Sequence, residues 1–94
     1  MDLFAQMAKK IIEKQSTIIG PIAVEQAEKI NGLVVSWEDG KHEVSISGDG
    51  QAAIDRLVEQ YKKLFGQISV EVCKEAASPL LNQLPESKQP KTLE

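Results

Sequence analysis

One cysteine, one histidine, one arginine and one tryptophan are all that this 94-residue chain holds of four residue types that often carry chemistry. Cys73, being alone, forms no intramolecular disulfide and no cysteine zinc site, and it suits a reducing compartment. His42 has no Ser or Cys nucleophile, no HxxxH partner and no acidic orienter at a recognisable spacing, which excludes triads and histidine-rich metal sites in their ordinary forms. Arg56 is the only arginine, the net charge is −3, and the two signs are interspersed, so the electrostatic footprint of sequence-independent nucleic-acid binding is missing. No apolar run approaches the ~18 residues of a membrane span. Charges inside MDLFAQMAKK leave no secretory signal, and the chain reads as cytoplasmic.

With 41% hydrophobic and 27% charged residues, the composition is that of one small globular domain, expected over 1–84. A domain of this size buries only roughly 60–70% of the surface its unfolded chain exposes, which makes oligomerisation an expectation. The polar, proline-containing run PESKQPKTLE over 85–94 is expected to be disordered, its final Leu93-Glu94 reading as an appended tag.

Helical spacing of apolar residues runs from Leu3 to Ile19 through Phe4, Met7, Ala8, Ile11, Ile12 and Ile18, with Asp2 placed to cap the first turn. Gly20-Pro21 interrupts this stripe, and a second helix is expected from Pro21 to about Asn31, with Ile22, Ala23, Ala27 and Ile30 buried. LVVSWEDGKHEVSIS then reads as a hairpin with Asp39-Gly40 as a two-residue loop. That loop pairs Glu38 with Lys41, Trp37 with His42, Ser36 with Glu43, Val35 with Val44, Val34 with Ser45 and Leu33 with Ile46. One face then carries Leu33, Val35, Trp37, His42, Val44 and Ile46, and a one-residue slip would scramble it. Asp49 is placed to cap a third helix over about Gln51–Phe65, and the stripe resumes from Gln67 through Cys73 to Leu84. Whether Gly66 breaks these into two helices is open, since glycine costs a helix interior only ~1 kcal/mol. Pro79 should kink or end the last helix.

Shifting the chain by 46 positions lays Lys10–Lys29 on Arg56–Glu75 without a gap. Glu13 falls on Glu59, Gly20 on Gly66, Ile22 on Ile68, Val24 on Val70 and Glu25 on Glu71, and the apolar Ile11, Ile12, Ile18 and Ile19 fall on Leu57, Val58, Leu64 and Phe65. A duplication would make each half a helix, a glycine joint and a second helix, giving a pseudo-two-fold helical body. The run Ile18-Ile19-Gly20-Pro21-Ile22-Ala23 resembles the "IGPIA" joint of short helix-Gly-Pro-helix modules appended to bacterial signalling proteins, including forkhead-associated and serine/threonine-kinase proteins of cyanobacteria. The resemblance covers about residues 10–31, and again 56–76 with Gln67 in place of the proline, and leaves the hairpin unexplained. It implies a bacterial protein with a regulatory or protein-interaction role, and brings no catalytic residues with it.

The fold class expected is therefore α+β, two helix pairs flanking a central two-stranded antiparallel hairpin. Function points to a non-catalytic interaction or regulatory module, a homodimer or one partner of another protein, with no cofactor or metal. The hairpin face of Leu33, Val35, Trp37, His42, Val44 and Ile46 is the candidate interface, because an isolated two-stranded sheet needs cover from helices or a second subunit. The helix joints Gly20, Pro21 and Gly66 are the second place to look. His42 is expected beside Trp37, Cys73 as a buried hydrophobe, and Glu25 and Glu71 as surface carboxylates paired with Lys29 and Lys74, the alternative being a cation site between them. SGDGQ resembles a phosphate loop but lacks GxxxxGK[ST] and serves as a helix cap. A winged-helix DNA binder is a weaker alternative: PIAVEQAEKI carries two Glu and one Lys, and the hairpin tip is acidic. Steep salt dependence of DNA binding would identify it. An accessory subunit that takes a small ligand between its helix pairs is the other alternative.

Overall fold

A computed structural model describes residues 2–38 and 40–93. Its elements follow the order α1 (Leu3–Ile19), α2 (Ile22–Glu28), β1 (Leu33–Glu38), β2 (Lys41–Ile46), α3 (Gly50–Phe65), α4 (Gln67–Leu81), then two short 3₁₀ turns at Glu86–Lys88 and Lys91–Leu93. The fold is thus α+β with the order helix, helix, hairpin, helix, helix.

Local chemistry accounts for most boundaries. The Asp2 carboxylate accepts the Phe4 N–H at 2.9 Å and starts α1; the Asp49 carboxylate accepts the N–H groups of Gln51 and Ala52 and starts α3. Gly66 does break the second helix pair: at φ 83°, ψ −169° it occupies backbone space open to glycine alone, and Gly20 does the same at φ 72°, ψ −151°. Helix α2 ends at Glu28, three residues before the expected Asn31, because its last N–H groups tighten into i→i−3 bonds from Lys29 to Gln26 and from Ile30 to Ala27. Pro79 sits in the last turn of α4 and does not end it; Asn82 does.

The two strands pair antiparallel in the register read from the sequence, from Leu33 opposite Ile46 to Glu38 opposite Lys41. Of the expected turn, Gly40 takes φ 77° and Asp39 lies outside the described residues. The apolar face turns inward. Leu33 is buried, and Val35, Trp37, Val44 and Ile46 pack half-buried on the same core as Met7, Ile11, Ile12, Ile54, Leu57 and Val58.

The 46-residue offset holds in three dimensions. Ile11 and Ile12 are fully buried and so are Leu57 and Val58; Ala27 is fully buried and so is Cys73. Gly20 N–H donates to the Ser16 carbonyl and Gly66 N–H to that of Lys62, while Ala23 and Ser69 donate back to Gly20 and Gly66. Cross-links between the halves are reciprocal: Gln15 Nε2 donates to the Ser69 carbonyl at 3.0 Å, and the Tyr61 hydroxyl donates to the Ala23 carbonyl at 2.7 Å. Gln15 and Tyr61 are 46 apart, as are Ala23 and Ser69. Even the closest backbone approach obeys the offset, because Phe4 packs on Gly50, where an added Cβ would lie 2.5 Å from the Phe4 ring.

One segment departs from expectation. Residues 85–93 do not extend as a free tail: Pro90 and Leu93 are buried, Thr92 donates its N–H and its hydroxyl to the Asp55 carboxylate at 3.0 and 2.7 Å, and Gln89 is tied to Gln51, Leu81 and Leu84. Leu93, expected in a free tail, is thus buried; Glu94 lies outside the described residues. The physical reason is that α3 and α4 leave an apolar seam at their open end, and the prolines that look like disorder signals also suit a chain laid flat along it.

Candidate functional site

Helices α1 and α3 begin side by side, with Phe4 on Gly50. Gln15 reaches Ser69, just past Gly66, and Tyr61 reaches Ala23, just past Gly20, so the two glycine elbows are neighbours across the pseudo-dyad. Each elbow places one aliphatic side chain two residues before its glycine and another two after. These are Ile18 and Ile22 at the first elbow, and Leu64 and Ile68 at the second; they are 58%, 44%, 47% and 73% exposed.

Sequence periodicity counted Ile18, Ile22, Leu64 and Ile68 among core positions, and the structure corrects that. A helical stripe tells which side of a helix is apolar; it does not tell where the neighbouring helix stops. Single exposed aliphatics are ordinary, whereas here four of the five large exposed hydrophobics among the described residues flank the two glycine elbows.

The elbows differ in charge. Lys62 and Lys63 close α3, where α1 has the neutral Ser16 and Thr17. On the return helices Glu71 is held by Lys74 at 3.6 Å and by the Gln67 amide at 3.2 Å, while Glu25, its equivalent, takes part in no ion pair among the described residues, Lys29 included. Glu25 after the first elbow and Lys62 and Lys63 before the second are thus in no ion pair among the described residues. Among the described residues no group of three or more His, Cys, Asp or Glu is placed to hold a metal ion.

The hairpin candidates sit elsewhere. Trp37 and His42 stack with ring centroids 4.0 Å apart and planes 8° from parallel, as the register implies. His42 Nδ1 also lies 3.2 Å from Glu13 Oε2 of α1, an orienting carboxylate that sequence spacing could not reveal because 29 residues separate the two. With both side chains about one-third exposed, this contact pins the hairpin to α1 with less than about 1 kcal/mol. Leu33 is buried, and Val35, Trp37, Val44 and Ile46 are partly buried against this chain's own core. Beside the β2 edge an open groove of about 800 Å³ runs along the first half of α1, lined by Asp2, Gln6 and Lys9 on the helix and by Lys41, Glu43 and Ser45 on the strand.

Within the core lie two further titratable groups, Cys73 and Tyr61. Burial pushes the Cys73 thiol up to about 11, against the opposing pull of a Gln15 hydrogen bond at 3.4 Å. The Tyr61 phenol is raised as well, chiefly by burial and further by Cys73. A protonated, enclosed thiol is a packing group and not a nucleophile.

Comparison with protein-family models, with curated proteins and with solved structures finds no match to this chain.

Proposed function

We propose that this chain is a non-catalytic protein-interaction module that works as a homodimer. The observation that carries the reading is the exposure of Ile18, Ile22, Leu64 and Ile68, one on either side of each glycine elbow. Exposed apolar surface of that kind costs free energy in water and is retained where a partner covers it. Small size adds to the case, since a domain of 94 residues gains proportionately more from an interface than a large one. Light scattering on size-exclusion peaks across a dilution series tests it. Mass rising above one 10.3 kDa chain with concentration is expected, and one-chain mass at every concentration would overturn the homodimer.

A second reading, an accessory subunit that takes a small ligand, is supported by the groove between α1 and the hairpin, in place of the expected site between the helix pairs. Thermal shift against a metabolite panel tests it, with a concentration-dependent rise in Tm as the supporting result.

A further inference from the structure

The geometry points to a specific pairing: two copies meet elbow end to elbow end about a true two-fold axis, with the first elbow of each copy on the second elbow of the other. The inference rests on the homodimer reading and adds its interface and its register.

Two observations carry it. Both elbows have the same shape, because Gly20 and Gly66 share one backbone conformation and place their aliphatics at the same offsets. An isologous interface needs a self-complementary surface, and a surface already close to two-fold in its apolar residues meets a rotated copy of itself in register. Charge then selects among the possible rotations. If each elbow met its own counterpart, Lys62 and Lys63 would face Lys62 and Lys63, and Glu25 would face Glu25. If the first elbow meets the second, Glu25 of one copy faces Lys62 and Lys63 of the other, twice per dimer, and none of the three is in an ion pair among the described residues. Like charges facing each other are disfavoured and opposite charges fix register, so the crossed arrangement is the one this sequence specifies.

Ile18 and Ile22 then lie against the other copy's Leu64 and Ile68. Only four aliphatic side chains a side are fully committed, which places the contact below standard interface size and makes the dimer dissociable on dilution.

Sedimentation equilibrium on the full chain and on four variants tests the arrangement, with far-UV circular dichroism confirming the fold of each. Ile68→Glu, at a side chain 73% exposed and outside the core, is expected to weaken dimerisation at least ~10-fold. Lys62→Glu with Lys63→Glu should weaken it by ~3–10-fold at low salt, and adding Glu25→Lys to that chain should restore it. Val34→Glu, an exposed change on the outer face of the hairpin, should leave it unchanged.

A wild-type chain that stays monomeric at every concentration overturns both the homodimer reading and this interface. A dimer that survives Ile68→Glu but is lost in Val34→Glu leaves the homodimer standing and overturns the elbow interface. Loss in Ile68→Glu without rescue by Glu25→Lys overturns the crossed register.

Discussion

The two halves of this molecule begin alike and finish differently. Each is a long helix, a glycine elbow and a returning helix, and the hydrogen bonds between the halves include an equivalent pair, one in each direction. After its second helix the first half sends a hairpin back onto α1, whereas the second half sends residues 85–93 back onto α3 and α4 in two short turns. The lesson is that the paired helices are the conserved geometry within the chain and the covering layer is exchangeable. A sheet and an irregular strap serve the same need, which is to take the apolar flank of a first helix out of water.

The equivalence of the halves is broken most forcefully in the core. Ile11→Ala and Leu57→Ala remove fully buried side chains at matching positions, and each is expected to cost about 2–5 kcal/mol by chemical denaturation. Values within about 1 kcal/mol of each other support equivalence, and a wide gap would show that one half bears the core alone. Leu93→Ala, at the docked end of the chain, should cost about 2–3 kcal/mol for the same reason, where a free tail would give no change.

The elbows provide a finer comparison. No atom lies within 4 Å of a Cβ added at Gly20 or Gly66, so Gly20→Ala and Gly66→Ala act through backbone strain and not through collision. About 1–3 kcal/mol each is expected, again equal in the two halves. The reciprocal hydrogen bonds come next: Tyr61→Phe and Gln15→Leu should each cost about 1 kcal/mol.

Titration separates the halves on a smaller scale, because both buried acids, Tyr61 and Cys73, belong to the second. Each holds its proton more tightly folded than unfolded, so the unfolded chain releases protons first as pH rises. Stability is therefore whole below the ordinary thiol value near 9, falls from there toward about 11 through Cys73, and falls further above the ordinary phenol value near 10 through Tyr61. Tm measured from pH 8 to 11 should show this decline, and Cys73→Ala with Tyr61→Phe should flatten it. At neutral pH the native thiol should resist iodoacetamide and react only once guanidinium unfolds the chain.

Much of this architecture was legible in the residues. Alternation on both sides of Asp39-Gly40 determines the hairpin register because the strand period is two and a slip exposes Leu33, Val35 and Trp37 together. The capping aspartates and the apolar spacing of α1 and α3 are equally local. Three features were not legible, and all three depend on distant chain segments. Gly66 tolerates either a continuous helix or a break, and what decides is the packing of α4 on α1. Pro90 and Leu93 look like tail residues until α3 and α4 make a seam for them. Ile18, Ile22, Leu64 and Ile68 continue apolar stripes, and only the ends of the neighbouring helices leave them in water.

The stack of Trp37 on His42 has an optical consequence. The chain holds a single indole, in the hairpin, and a single phenol deep between the helices. Indole fluorescence thus reports the hairpin's attachment, while tyrosine absorbance reports the helical body, without any introduced label. Because hairpin and helices share one core cluster, the two signals should trace superimposable melting curves, and an indole transition that came first would identify the hairpin as a separately unfolding flap.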